Sequence, residues 1–510
     1  MKFLLLSLSL LLTGVLSAQK LRFKVTGVKD TTVFLTRYYG KGLYYADTAV
    51  MKNGVVEFTA KSDLKPGVLA LLLKDQKYFD FIYNKEEVSL ETEYNNFVPA
   101  MKVKKSVENK LFMDYINFIA NSRAKATAIT EELKKLQKDT PEYKAKQAEI
   151  DAIGKSVEDY QANLIKMNPT TLTSKIVKMS MDVKIPEMPK DKDGKEDPNA
   201  RYYYFRQHYW DNIDLKDDRL VNSPIFFNKL ETFFGKTMLV QNPDTIVKHA
   251  FPFCDQFAKE SEMFKFCVDY ITNTSAKSNI MGMDKAYFLM VDRYYCKTNP
   301  ATGKSFAHWM KDDKLDELCK ENKIKMLTMM GVVPPNISLR DTTDVNWKNF
   351  YDLKSEYTIL YFWDPECGHC KKVTPKLQEL YSKKLKARNV EVFAVGKATG
   401  DDFEKWKKFI RDNNLEFINV GMTKKLYEEA QKDALSLIQS KKTTLEALNY
   451  HDTYDIYATP KIIVLDKDKK IVAKQLTISQ LEDFLDRMQN IKDPVKLFPE
   501  DPEELEHNKN

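Results

Sequence analysis

The residues of this sequence best suited to chemistry are Cys367-Gly368-His369-Cys370, two cysteines separated by two residues. Disulfide exchange needs one accessible thiolate and a second thiol that can resolve the mixed disulfide. A C-x-x-C at the start of a helix supplies both. The unpaired N–H groups of the first turn and the helix dipole stabilise a thiolate on the first cysteine. The second cysteine lies three residues on, on the same face and deeper. Cys367 is thus the expected nucleophile and Cys370 the thiol that attacks back. Between them, His369 tunes the pair: a positive charge or hydrogen bond toward the Cys367 thiolate favours the reduced form. C-x-x-C potentials run from about −270 mV at the reducing end to about −180 mV at the disulfide-isomerase end, and Gly368-His369 is the dipeptide of the latter, more oxidising end.

Zinc is the competing use of a close cysteine pair. It would need two further Cys or His ligands at characteristic spacing. His451 is the only later histidine before the tail, and no second close pair of cysteines exists. The sequence therefore predicts no metal and no cofactor beyond a redox-active Cys367–Cys370 disulfide. A peroxidase would rely on a lone low-pKa cysteine in another context, and none is evident.

These cysteines need a scaffold, and the flanking residues describe one. Tyr357 to Trp363 is an apolar, aromatic run of buried-strand length, followed by Asp364-Pro365-Glu366 as a turn. Lys371 to Lys384 has helical spacing, with Val373, Leu377 and Leu380 on one face. Further strands are expected at Val390–Val395 and Ile462–Leu465, and helices at Asp402–Asn413 and Leu481–Met488. Ala458-Thr459-Pro460 directly precedes a strand, about 90 residues after the cysteines. Taken alone, Thr-Pro before a strand is an ordinary turn. With the C-x-x-C upstream it resembles the cis-proline of thioredoxin-like folds, which implies that Pro460 turns the backbone of Thr459 toward the sulfurs and leaves its N–H and C=O to pair with an extended substrate.

The run Tyr361-Phe362-Trp363-Asp364-Pro365-Glu366-Cys367-Gly368-His369-Cys370-Lys371-Lys372, with Pro375 and Tyr457-Ala458-Thr459-Pro460, resembles the TlpA/ResA-like branch of the thioredoxin superfamily. The long Bacteroidetes form, with a β domain and a helical domain ahead of the thioredoxin-like one, is the most similar. The motif match runs from about Pro335 to Asn490; before that it is architectural. The resemblance implies a thiol-disulfide oxidoreductase acting on periplasmic protein thiols and disulfides, with Pro460 as the cis-proline and a membrane or periplasmic electron donor. The sequence departs from the pattern in three places. Glu366 stands where tryptophan is usual, and Tyr361 aligns with the buried acid that assists proton transfer from the resolving cysteine. About 35 residues, Gly421 to Asp455, replace a short connection. Glu366 is expected to be an exposed loop residue whose charge raises the Cys367 pKa and opposes His369.

The rest of the chain sets the context. At 510 residues it is long enough for about two to four domains. Its net charge of +7 is spread over 80 basic and 73 acidic residues, a mixed surface rather than a nucleic-acid footprint. Met1-Lys2, the apolar run Phe3–Leu12 and the small residues ending at Ala18 read as an export signal too short to span a bilayer. No later segment reads as a transmembrane span. No cysteine precedes Cys254, which argues against a lipid-anchored start near Gln19. A periplasmic or cell-envelope location follows.

From Lys20 to Val103, short strands are expected at Leu21–Val25, Val55–Thr59, Val68–Leu73, Phe79–Tyr83 and Val88–Tyr94. Asn53-Gly54 is a hairpin turn among them. Helices follow from Ser106, one starting at Thr140-Pro141 and ending at Asn168-Pro169, and Pro186–Asn199 reads as a loop. Tyr202–Trp210 reads as a packed aromatic helix face rather than a nucleic-acid stacking platform. Gly331–Pro335 reads as a stiff linker. The expected architecture is multidomain: signal peptide 1–18, all-β sandwich-like domain 19–105, α-helical domain 106–333, α/β thioredoxin-like domain 334–492 and charged tail 493–510. Cys254, Cys267, Cys296 and Cys319 are buried thiols or structural bridges, with three ways to form two bridges. A different class of function is a cell-envelope binding or scaffold protein, with the β and helical domains holding a partner and redox chemistry secondary.

Overall fold

A computed structural model describes residues 19–190 and 192–500. The expected signal segment 1–18 and the end of the charged tail, 501–510, lie outside the described residues. Two compact units are present. One comprises residues to Leu239 with Gln256–Cys267, the other Val240–Asp255 with the chain from Val268 onward.

The first unit opens with β1 (Lys20–Thr26), β2 (Thr31–Tyr39), β3 (Gly42–Met51), β4 (Val55–Thr59), β5 (Gly67–Leu73), β6 (Tyr78–Tyr83), β7 (Val88–Glu93) and β8 (Lys102–Lys105). They form two four-stranded sheets, ordered β4-β1-β7-β8 and β3-β2-β5-β6. In β1 the alternation of sequence becomes alternation of burial: Leu21, Phe23 and Val25 are buried while the residues between them face solvent. Both sheets feed one core, where Phe23 packs edge-on against Phe58 and Phe79. Asn53 and Gly54, both at positive φ, close the hairpin between β3 and β4.

Three of these strands, β2, β3 and β8, were not apparent from the residues. The register of β2 against β3 shifts between Leu35 and Thr36. Such an irregularity breaks the period of two by which a half-buried strand is recognised.

After the strands come α1 (Val107–Leu133) and α2 (Pro141–Met167), capped by Ser106 and Thr140. They join along their faces, where Phe118 stacks on Tyr160 at 4.2 Å. Then come α3 (Leu172–Ser180), α4 (Ala200–His208), α5 (Pro224–Leu230), α6 (Pro243–Asp255), α7 (Glu262–Ala276), α8 (Asp284–Val291) and α9 (Asp312–Lys325). The aromatic face expected over Tyr202–Trp210 is realised only at its end, since no residue of α4 itself is buried. Its rings are instead covered from within the helix: the Arg206 guanidinium lies 5.3 and 5.2 Å from the rings of Tyr202 and Tyr203. Only past the helix end does an aromatic side chain enter a core, at Tyr209 against Phe233.

In the second unit a seven-stranded sheet has the order β10-β9-β13-β12-β11-β14-β15. Its strands are β9 (Ser338–Asp341), β10 (Trp347–Asn349), β11 (Tyr357–Trp363), β12 (Val390–Gly396), β13 (Ile418–Gly421), β14 (Lys461–Leu465) and β15 (Ile471–Lys474). The central strands β11, β12 and β13 are parallel, and β14 runs antiparallel to β11.

All seven residues of β11 are buried, because helices cover both sheet faces. On one face Ile359, Tyr361 and Trp363 pack with α10 (Gly368–Leu380), α11 (Asp402–Asp412) and α15 (Ile478–Met488). The other face, with Leu360, Phe362, Phe393 and Ile463, is covered largely by the segment Gly421–Asp455. That segment forms α12 (Lys424–Gln439), α13 (Leu445–Leu448) and α14 (Tyr450–Thr453). Gly331 and Val332 do not form a free linker. They exchange backbone hydrogen bonds of 2.7 and 2.9 Å with Ile471 of β15.

Candidate active site

β11 ends at Trp363, and the chain turns sharply through Asp364-Pro365-Glu366. The Asp364 carboxylate accepts the Glu366 N–H at 2.8 Å, and its carbonyl accepts the Cys367 N–H at 3.2 Å. This turn delivers Cys367 to the N-cap of α10 with extended backbone, φ −68° and ψ 121°. Its carbonyl accepts the Lys371 N–H at 3.1 Å, so the helix begins at once. Cys370, one turn on, points into the core beneath the sheet and is fully buried, whereas Cys367 is half-buried.

The Thr459–Pro460 peptide is cis. Sheet register brings it to the cysteines, because β14 pairs with β11 through Lys461 opposite Phe362 and Ile462 opposite Tyr361. The residues just before β14 therefore lie beside the end of β11. There the Cys367 thiol donates to the Thr459 carbonyl at 3.3 Å.

The two thiols differ in acidity. Burial alone pushes the Cys367 thiol up, but hydrogen bonds outweigh it. They come from the Cys370 and His369 backbone N–H groups and the Thr459 and Cys370 side chains, and they hold the thiol below its ordinary value. Cys370 is pushed up to about 12, chiefly by burial and further by the nearby Cys367 charge. The Asp364 N–H, 3.5 Å from the Cys370 sulfur, offsets part of this.

His369 is half-buried in the first turn of α10, and its backbone N–H is one of the groups that favour the Cys367 thiolate. Gly368 is exposed, and a side chain there would meet nothing within 4 Å, so packing does not demand glycine. Tyr361 is buried, with its hydroxyl 2.7 Å from the Thr374 hydroxyl. It supplies no carboxylate beneath the cysteines. Glu366 is exposed and pairs with Lys405 at 3.3 Å.

That pair belongs to a chain of charges invisible in sequence. Lys405 also meets Asp402 at 3.6 Å, Asp402 meets Lys397 at 3.2 Å, and Lys397 meets Asp364 at 3.4 Å. Lys397 directly follows β12 and Lys405 sits on α11, so only the fold brings them to the turn before Cys367. Elsewhere in the same unit Cys296 and Cys319 are joined by a disulfide. Cys254 and Cys267 are buried thiols. No cluster of three potential metal ligands exists among the described residues.

Residues 355–471 match the thioredoxin-like family. Residues 20–112 and 158–331 match two families that carry the description domain of unknown function (DUF4369 and DUF5106). The thiol-disulfide oxidoreductase ResA of Bacillus cereus is 28% identical over 166 residues, covering 31% of this chain and 78% of that protein. Among solved structures, a domain of a possible thiol-disulfide isomerase from Cytophaga hutchinsonii is 35% identical, covering 32% of this chain and 94% of that one, with a TM-score of 0.25. The thioredoxin domain of a thiol-disulfide oxidoreductase from Bacteroides vulgatus is 27% identical, covering 31% and 96%, with a TM-score of 0.24. A strand that ends at a C-x-x-C, a helix that starts on it and a cis-proline beside it are thus joined to a matching sequence family. This chain belongs to the TlpA/ResA-like thiol-disulfide oxidoreductases, with further domains ahead of its thioredoxin-like one.

Proposed function

We propose that the protein is exported and reduces or isomerises disulfides of periplasmic proteins through Cys367-Gly368-His369-Cys370. The observation that carries this reading is the split between the two thiols, one half-exposed and acidified, the other buried and raised to about 12. In the reduced enzyme the Cys367 thiolate attacks a substrate disulfide. One Cys367–substrate S–S bond forms, the substrate S–S bond breaks, and the departing sulfur takes up a proton. Cys370 then gives up its proton and attacks the Cys367 sulfur. The mixed disulfide breaks, the second substrate thiol leaves, and the enzyme keeps a Cys367–Cys370 disulfide. Two electrons have passed to the substrate, and a dithiol donor in the envelope returns them. No cofactor beyond this disulfide takes part. In isomerisation the substrate's own thiol displaces Cys367 before Cys370 acts.

His369 tunes the pair, and the backbone of Thr459 beside Pro460 holds an extended substrate by its N–H and C=O. Export rests on the apolar segment before Ala18. Among the described residues no helix is long and apolar enough to cross a membrane. The domains ahead of residue 334 then select what reaches the cysteines.

Insulin reduction by the full mature chain, compared with Cys367→Ser and Cys370→Ser, tests the reading. Turnover in the wild type alone supports it, and equal rates in all three proteins refute it. Mass measurement of the protein recovered from an envelope fraction tests export, with a mature start at Gln19 expected.

A further inference from the structure

Tyr457 is 86% exposed, the most exposed large hydrophobic side chain among the described residues. Its surroundings are not those of a loose loop. Ile456, immediately before it, is buried in the sheet core and donates its N–H to the His451 carbonyl at 2.8 Å. Lys461 reaches back from β14 to donate to the Tyr454 and Asp455 carbonyls at 3.0 and 2.6 Å. Tyr454 is itself buried against Phe362 at 5.2 Å. Two residues after Tyr457, Thr459 is fixed by its contact with the Cys367 sulfur. The backbone is therefore anchored on both sides of an aromatic ring that touches no other side chain's ring or polar group. Leaving such a ring in water gains the folded chain nothing.

We propose that Tyr457 is a specificity-determining residue that selects polypeptide disulfides with an apolar side chain near the attacked cysteine. This rests on the disulfide-exchange reading of Cys367. A substrate strand lying along Thr459 advances about 3.4 Å per residue. Tyr457 stands two residues before Thr459 in the same bend, so a substrate residue near the bonded cysteine is the one within reach of its ring. Tyrosine suits this place, since its rigid ring offers a large contact area at small entropic cost and its hydroxyl stays in water. The occupant is an extended polypeptide with an aromatic or aliphatic residue at that position. The 35 or so residues of the Gly421–Asp455 segment contribute by fixing the backbone that presents the ring.

The test compares two disulfide-linked peptides that differ only in phenylalanine or serine two residues from the cysteine. The ratio of their kcat/KM values is measured for the full-length wild type, Tyr457→Ser and Tyr457→Phe. The wild type is expected to prefer the phenylalanine peptide by about fivefold to tenfold. Tyr457→Ser is expected to bring the ratio close to one, while Tyr457→Phe keeps it. An unchanged ratio in Tyr457→Ser overturns the proposal, as does an equal fall for both peptides or a Tyr457→Phe variant that behaves like serine. A wild type inert toward both peptides and insulin instead removes the disulfide-exchange reading beneath it.

Discussion

The second unit holds two pairs of cysteines in opposite states, one joined and one free. Cys296 and Cys319 lie 23 residues apart, are each half-buried and are joined. Cys367 and Cys370 are three residues apart and are both free thiols. The first pair bridges the turn after α8 to the helix α9, and its two sulfurs sit in similar surroundings. In the second pair one sulfur faces the N–H groups of a helix start, and the other is sealed under a sheet. A staple is served by symmetry, since neither sulfur should leave as a thiolate. A catalyst needs asymmetry, because one thiol must attack and be attacked while the other waits protonated. What separates the two pairs is local environment rather than distance along the chain.

The sharpest way to break this comparison is to remove one sulfur from the asymmetric pair. Cys367→Ser is expected to lower insulin reduction by at least about a hundredfold. Cys370→Ser should instead accumulate a mixed disulfide with substrate, visible on non-reducing gels. A trapped adduct in Cys367→Ser and none in Cys370→Ser would reverse the assignment of nucleophile and resolving thiol.

The acidities themselves give the next largest effect. In the reduced enzyme Cys367 should be alkylated by iodoacetamide with a midpoint below its ordinary value of 9.0. Cys370, at about 12, should lag by about a hundredfold or more at pH 8. The signs for stability follow. The contribution from Cys367 is present above its unfolded pKa and lost as pH falls through its lower folded value. That from the neutral Cys370 thiol is present below its unfolded pKa and lost as pH rises toward about 12. Mass spectrometry of singly labelled protein across pH checks the order, and equal labelling of the two sulfurs contradicts it.

The symmetric pair should respond in stability alone. Replacing Cys296 and Cys319 together by serine opens a loop of 23 residues, which by chain entropy costs about 3 kcal/mol. Urea unfolding measures the loss. The rate of Cys367 alkylation should stay at its wild-type value, and a change there would show that the two pairs are coupled.

The contrast between the pairs was only half legible in the amino-acid sequence. The Cys367–Cys370 pair, proposed as catalytic, could be read because everything it needs locally is contiguous: an apolar strand, a short turn, two cysteines and a helical face at Val373, Leu377 and Leu380. Thr459-Pro460 could be placed beside it through the resemblance to the TlpA/ResA-like branch. The pairing of Cys296 with Cys319 was not readable, since it depends on how α8 and α9 pack and no local signal encodes that. Strands β2 and β3 were hidden for a related reason, because a register shift at Leu35 and Thr36 removes the alternation that marks a strand. The packed aromatic face expected over Tyr202–Trp210 holds only at its end, where Tyr209 is buried against Phe205, Trp210 and Phe233, because residue type alone does not encode burial. Tyr202 and Tyr203 instead lie under Arg206 at the surface.

The electrostatics around Glu366 show the same limit and give the finest test of the asymmetry. By itself Glu366 places a carboxylate next to the nucleophile and opposes formation of its thiolate. In the folded protein Lys405 lies 3.3 Å from that carboxylate, and Lys397 similarly meets Asp364 at 3.4 Å. Positive partners thus follow the negative residues of the turn, which keeps the charge at the mouth of the site near balance. Both members of the Glu366–Lys405 pair are about half exposed, so solvent screens the interaction and its effect is small. Lys405→Ala should slow Cys367 alkylation at pH 7 by about twofold, and Glu366→Gln should speed it by a similar factor. The two changes should cancel in the double variant, and the difference should shrink as salt is raised. A tenfold or larger effect of Lys405→Ala would mean that the charged rim, rather than the helix start and Thr459, sets the acidity of the nucleophile.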